Sequence, residues 1–436
     1  MATKSKKKAI WAWTMYDWGN SAFATTIMAA VLPVYYSSVA ASNLPAHQAT
    51  ANWGFTCSIA ALIVAVISPL LGAVADFKGA KKKFMAFFVF LGVTATALLY
   101  FVKTGDWKLA SALYIFGNIG FAGSLVFYDA LLPHITTPKE IDQVSSRGFA
   151  MGYIGGGLLL AINLAMIMML PNFFPDMDPT LMSRLSFVSV AIWWLVFTIP
   201  AMRYISEPQR KIMKEEAGMN PVQVSFRRLA VTFKDIHNFR DLFLFLLAFF
   251  LYTNGIGTII TMSTIYGTEI GIGQTTLIGT LLMVQFVAAP FAIAFGWLAK
   301  KIGTKTSIYI SLLVYTLIAI GGYFMSTAWH FWALGFAVAT VQGGSQALSR
   351  SLIGRMMPKS KSAEFYGFFS VFEKFSSIAG PALFGLVSTL MGESRLSIVS
   401  LVIFFILGIY VLSRVNVERG IKVAEEDEKA LISANE

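Results

Sequence analysis

Long apolar runs separated by short polar gaps recur twelve times along the chain. A run of roughly 20 residues crosses about 30 Å of hydrocarbon at 1.5 Å per residue. Such runs fall near 11–40, 53–75, 84–102, 109–131, 147–170, 185–205, 241–262, 275–299, 306–325, 329–349, 364–390 and 396–413. The pattern predicts an all-α integral membrane protein with twelve transmembrane helices. The seventh run is the most diluted, because Thr and Gly follow Asn254. The first run follows Lys4, Lys6, Lys7 and Lys8 and reaches Val39 without a small-residue cleavage site, so it reads as a retained helix and not as a signal peptide.

Charge fixes the orientation. If the N-terminus is cytoplasmic, the outer loops hold only Lys103, Lys108, Arg184 and Arg395 of the 34 Lys and Arg residues. Lys374 lies within a span, and all the others lie in or beside cytoplasmic segments. Loops rich in Lys and Arg stay on the cytoplasmic side, so both termini are expected there. Composition agrees: 56% hydrophobic, 13% charged, mean hydropathy +0.66. Soluble domains carry about 25% charge, and a surface of this size cannot be coated with so few charges. The net charge of +11 does not point to nucleic acid, because the basic residues are scattered over short gaps with no continuous basic patch.

The spans divide into two sixes. The sequence predicts a six-helix half over 1–205, a cytoplasmic linker over 206–240, a second half over 241–413 and a tail over 414–436. The linker mixes Arg210, Lys211, Lys214, Glu215, Arg227 and Lys234 with Val222, Val224 and Phe226; it reads as an amphipathic surface helix or as a solvated connection. The tail, with Glu425, Glu426, Asp427 and Glu428, reads as solvent-exposed and functionally silent. Gly72-Ala-Val-Ala-Asp76-Phe-Lys78-Gly79 after the second span has a counterpart in Gly296-Trp-Leu-Ala-Lys300-Lys301-Ile-Gly303 after the eighth, 224 residues on. Pro133 and Pro358 are offset by 225. One duplication of a six-helix unit explains both offsets.

This repeated segment, with the twelve spans and the long central loop, resembles the major facilitator superfamily over essentially the whole chain. Three stretches resemble its vacuole-effluxer-like branch: Tyr16 to Phe23 (YDWGNSAF), Ser145 to Tyr153 (SSRGFAMGY) and Gly343 to Ser351 (GGSQALSRS). The resemblance implies a secondary transporter in a bacterial inner membrane, working by alternating access as a monomer. Fungal members of the branch export amino acids from the vacuole. Lys300 stands where the first half has Asp76, which confines any Asp-mediated lock to one half. Helix five carries Gly155-Gly156-Gly157 without the Gly-Pro of drug antiporters, and Gly380-Pro381 sits in helix eleven instead.

An ionised side chain at the bilayer centre costs about 3 kcal/mol on insertion scales, so charged residues within spans are candidates for function. Glu373 falls near mid-membrane on a polar stripe with Tyr366, Ser370 and Ser377, spaced as one helix face. It is expected to contact substrate or carry the coupling proton, or else to form a structural ion pair. Asp17, with Asn20, Ser21 and Thr25 along one face of helix one, is a candidate for substrate or proton contact and equally for a gating pair with loop lysines or Arg147. Asp129 and Arg147 flank a short cytoplasmic loop and are expected to form a gating salt bridge, with Arg350 as the second-half equivalent and Asp76 as a stabiliser of one end state. Among uncharged residues, Asn254, beside glycines able to bend helix seven, and Gln346 are candidate ligand contacts, against the commoner reading of interhelical hydrogen bonds. Trp193 and Trp194 read as interfacial belt residues.

No metal-ligand spacing joins His47, His134, His237 and His330, and the chain has neither a phosphate-cradling Gly-x-x-x-x-Gly-Lys-Ser/Thr nor a Gly-x-Ser-x-Gly elbow. No cofactor and no enzymatic chemistry are expected. The expected partners are a small polar organic solute, protons and the lipid bilayer. An inorganic cation exporter using Asp17, Asp129 and Glu373, and a transporter-like receptor or scaffold working through its central loop, remain open at this point.

Overall fold

The computed structural model of the protein describes residues 2–174, 178–208, 220, 223, 227, 239–391 and 394–433. Most of the expected linker, 206–240, lies outside the described residues. Every regular element among the described residues is helical. α1 opens as Ala2–Ala22 and continues through a π-helical stretch, Phe23–Ala30, a short α segment, Val31–Tyr35, and a second π stretch, Tyr36–Ala40. There follow α2 (Ala46–Lys78), α3 (Lys81–Leu98), α4 (Trp107–Ile135), α5 (Ile141–Phe173), α6 (Leu181–Tyr204), α7 (Arg240–Glu269), α8 (Gln274–Ile302), α9 (Thr304–Tyr323), α10 (Ala328–Met356) and α11 (Ser362–Met391). α12 comprises Ser394–Ser400 and Val402–Ser413, and α13 spans Val417–Ser433.

Ten of the described helical segments are long and apolar enough to cross a membrane. The two remaining spans, α10 and α11, have 29 and 30 residues, ample for crossing. α10 is diluted by Gln342, Gln346, Arg350 and Arg355, and the first half of α11 by Glu364, Glu373 and Lys374. All twelve expected spans are therefore helices, each close to its sequence bounds. α7 runs as one helix through Asn254-Gly255-Ile256-Gly257. Gly255 faces the Phe405 ring, which a Cβ would meet at 2.6 Å.

The chain forms two compact units: Met1–Val66, Lys81–Tyr128 and Met151–Glu207 in the first; Ile67–Ala80, Asp129–Ala150 and Pro208–Glu436 in the second. In the first, α1 and α3 pack on α6. The core there is aromatic: Trp13 stacks on Tyr128 with ring centroids 4.3 Å apart, and Trp194 lies against Phe23 and Phe121. Trp194 is fully buried, which corrects its assignment to the interfacial belt. It fills the space left by Gly92, where a Cβ would come within 2.4 Å of the indole.

In the second unit α8 packs on α10, α9 on α10 and α12, and α7 on α11 and α12. The α7–α12 and α9–α12 contacts repeat the α1–α6 and α3–α6 contacts, as a duplicated six-helix unit requires. Lipid tails are as apolar as leucine, so association in a bilayer depends on close packing and hydrogen bonds more than on apolar burial. The repeated glycines supply that packing. Gly79 and Gly303 end α2 and α8 with φ of +58° and +89°, a region costly for other residues. At Gly72 a Cβ would lie 2.2 Å from the Ala363 carbonyl oxygen at the start of α11, and at Gly296 it would lie 2.6 Å from Ser146 Oγ at the start of α5.

The tail departs from expectation. α13 is a helix whose Gly420 and Ala424 are buried, one turn apart, with Gly420 against Met356. Asp241, at the start of α7, accepts hydrogen bonds from Arg419 Nη2 (2.9 Å) and from the Asn416 amide (2.8 Å). That bond holds the exposed Arg419 guanidinium protonated even more firmly than usual. Farther along, Glu428 accepts from the Ser360 amide and hydroxyl at 2.9 and 2.7 Å, and Asp427 pairs with Lys361 at 3.0 Å. Asp427 and Glu428 are therefore docking contacts, while Glu425 and Glu426 are exposed as expected.

Candidate functional site

Two buried ionic knots join the ends of α4 and α5 to α9 and α10 within the second unit. Arg350, on α10, is the centre of the first. Its Nε and Nη2 donate to Ser145 Oγ and to the Ser145 carbonyl, each at 2.9 Å, and Nη1 reaches Asp129 Oδ1 at 3.2 Å. The guanidinium also lies 4.1 Å from the Phe149 ring centroid. The side chains of Arg350 and Asp129 are 3% and 14% exposed, so this is a pair largely withdrawn from solvent, where a lost partner is costly. Asp129 thus has its ion pair with Arg350, and the side chain of Arg147, the partner expected from the sequence, is exposed.

The second knot centres on Asp142, in the first turn of α5. It accepts from Ser351 Oγ at 2.6 Å and Thr304 Oγ1 at 2.8 Å, and it bridges to Arg355. Sequence reading passed over Asp142, which looks like one more polar loop residue. The usable signal was its place in the first turn of a helix, where a carboxylate is favoured, three residues before the Ser145-Ser146-Arg147-Gly148 segment.

Asp76 works at the neighbouring corner. Its Oδ2 accepts from the backbone N–H of Glu364 at 2.9 Å, so α2 caps the N-terminus of α11. The matching corner at the end of α8 has Lys300, and there the acid comes from the other side, as Asp142. Tyr366 belongs to the same region: it is buried, and its hydroxyl donates to the Arg350 carbonyl at 2.9 Å. This ties α11 to the first knot through Tyr366, a candidate solute contact by its place on the Glu373 stripe.

In the first unit Asp17 is buried and accepts from the Tyr128 hydroxyl at 2.7 Å. Tyr16 donates to Ser124 Oγ at 2.7 Å, and Trp13 Nε1 donates to the Tyr128 carbonyl at 2.9 Å. Asn20 is 2% exposed, and its Nδ2 makes no hydrogen bond within the protein. A buried donor left in this state costs about 1–3 kcal/mol, and orphans of this kind concentrate where a ligand or an ordered water completes the bonding.

Of the remaining candidates, Asn254 is fully buried with both ends of its amide engaged: Nδ2 donates to the Phe250 carbonyl at 2.6 Å and Oδ1 accepts from Gly380 N–H at 2.9 Å. Pro381 lacks an N–H and disrupts the ladder of α11, and Asn254 reaches across to the break. Glu373 is half-buried, about 16 Å along α11 from its start at 1.5 Å per residue. Ser370, one turn earlier on the stripe, is buried, whereas the Ser377 side chain lies outside the described residues. Gln346 is half-buried one turn before Arg350. Among the described residues no three His, Cys, Asp or Glu side chains converge as metal ligands.

Twelve spans in two pseudo-repeats, glycine-sealed corners and buried ionic knots at one end of the helices describe a major facilitator transporter. The human organic anion transporter MFSD10 (TETRAN) has this fold, with a TM-score of 0.73 over 93% of this chain and 99% of its own, at 12% identity. The match to the family described as "Vacuole effluxer Atg22 like" covers residues 46–425, and the chain belongs to that family. The MFS-type transporter YxiO of Bacillus subtilis (strain 168) is 43% identical over 416 residues, covering 95% of this chain and 96% of the relative. Autophagy-related protein 22-1 of Penicillium rubens is 24% identical over 483 aligned residues, covering 89% and 80%. The protein is a multi-pass membrane transporter of the secondary type and not an enzyme.

Proposed function

We propose that the protein moves a small polar organic solute, with amino acids as the class to test first, and couples this movement to protons. The six-helix halves, 1–205 and 241–413, open alternately to the two sides of the cell membrane. Both termini and the 206–240 linker are cytoplasmic, and the working unit is a monomer. The observation that carries the solute site is the buried, unsatisfied Asn20 Nδ2, one turn along α1 from Asp17. An amide donor beside a carboxylate suits a solute that carries both acceptors and an ammonium group. Glu373 and Gln346 are the second-half contacts, with Glu373 the proton carrier. Asp76, Asp129 and Arg350 act as a gate at the cytoplasmic end, joined by Asp142 and Arg355; Arg147 becomes available to Asp129 when the Arg350 bond opens. Asn254 and Tyr366 set the shape of α7 and α11.

The test is uptake of a panel of labelled amino acids into proteoliposomes, with and without an imposed pH gradient. Wild type is expected to respond to the gradient, and Glu373→Gln to transport without responding. If Glu373→Gln follows the gradient as wild type does, the coupling assignment is wrong. If Asn20→Ala leaves the half-saturating solute concentration unchanged, the solute site is wrong.

A further inference from the structure

We propose that the start of α1 and the end of α6 together form a binding surface for the headgroup of an anionic phospholipid. Lys4, Lys8 and Trp11 are spaced four and three apart, which places them on one face of α1. Lys8 Nζ lies 3.8 Å from the centroid of the Tyr204 ring, Arg203 Cζ lies 5.6 Å from the same ring, and the Trp11 ring is 6.4 Å from it. Lys4, Lys7, Lys8 and Arg203 are all exposed, and none has an ion pair among the described residues. Glu207, four residues beyond Arg203, turns Oε2 to the Lys82 amide at 2.9 Å and makes no ion pair with these cations among the described residues. Like charges gathered at these two helix ends repel one another, and a bound anion relieves that repulsion.

The surroundings select a lipid over a free phosphate. Trp11 is 48% exposed, and an indole beside a phenol at the end of an apolar run marks the headgroup level of a bilayer. Deeper along α6, Ile199 and Val196 precede Arg203 by four and seven residues on the same face and are 56% and 49% exposed. They offer an apolar track for an acyl chain directly beneath the cations. On the topology proposed above, the surface lies in the inner leaflet.

The experiment is native mass spectrometry of the full-length, delipidated protein titrated with phosphatidylglycerol and with phosphatidylcholine. Wild type is expected to retain phosphatidylglycerol preferentially. Each basic residue near an anionic headgroup contributes roughly fivefold, so Lys4→Gln/Lys8→Gln/Arg203→Gln should lower that preference by at least about tenfold. Replacing both lysines with arginine should keep it, which separates charge from misfolding. Lys301→Gln, at a separate lysine–aromatic pair where Nζ lies 3.7 Å from the Trp297 ring, should leave it intact. An unchanged preference in the triple variant overturns the proposal. So does an equal loss in Lys301→Gln, which would mean a diffuse charge effect, or competition by inorganic phosphate at the lipid concentration, which would mean a free-anion site.

Discussion

Arg350→Gln tests the gate in the most quantitative way. The substitution removes two bonds to Ser145 at 2.9 Å and one to Asp129 at 3.2 Å, and it leaves a carboxylate that is only 14% exposed without its guanidinium. Removing one partner of a buried pair costs about 3–5 kcal/mol. The partial exposure of Asp129 argues for the lower end, about 3 kcal/mol. If those contacts exist only when the gate is closed, the loss raises the open population by about 150-fold. Ala347 reports on this directly: it is fully buried and its carbonyl accepts from Ser145 Oγ at 2.7 Å. In a Cys57→Ser background, Ala347→Cys should react slowly with a maleimide, and adding Arg350→Gln should accelerate the reaction by at least tenfold. Asp129→Asn in the same protein should recover part of the stability, because no bare charge then stays buried. The gating argument is refuted if Arg350→Gln lowers the melting temperature while the rate of maleimide labelling at position 347 stays the same.

Other consequences concern the corners, the tail and pH. Gly303→Ala, forced to φ near +89°, should cost about 1–2 kcal/mol, seen as a lower melting temperature, whereas Gly257→Ala, where a Cβ meets nothing within 4 Å, should be nearly silent. Deleting residues 417–436 should lower the melting temperature by a few degrees, since Asp241 loses Arg419; an unchanged value would return the tail to a passive role. Burial pushes the Glu207 carboxyl above its ordinary range, only partly offset by the Lys82 and Lys81 amides. A raised carboxyl makes the folded state bind its proton more readily than the unfolded state. This residue therefore costs stability as pH rises from the ordinary glutamate range through the raised value. Glu207→Gln should flatten that part of a melting-temperature profile between pH 4 and 7.5, and an unchanged slope would contradict the assignment.

The spans were legible because lipid imposes a length and an apolarity on each of them, and because basic residues mark one side. α10 and α11 carry the most polar side chains, yet each still holds an apolar run of span length, and Pro358 follows α10 as Pro133 follows the fourth expected span. The corners were half legible, since Gly79 and Gly303 announced turns, but the surfaces that Gly72 and Gly296 meet are contributed by residues hundreds of positions away or from another helix start. Asp142 was legible only as a first-turn carboxylate, because its burial arises only where α5 meets α9 and α10. α13 hides its docking for a related reason: a segment rich in Glu and Lys looks soluble, and only the small residues Gly420 and Ala424, one turn apart, betray a docking face. The π-helical course of α1 leaves no residue signature at all. Such departures from α geometry cluster at functional sites, and here they follow directly on Asp17 and Asn20.

The most direct test of alternating access is solute counterflow. Proteoliposomes loaded with an unlabelled amino acid and diluted into a trace of the same labelled compound should accumulate label transiently above the outside concentration, because one site returns loaded from each side. Arg350→Gln should alter the rate of that overshoot. For every solute in the panel, equilibration without overshoot, or no movement at all, would contradict the account.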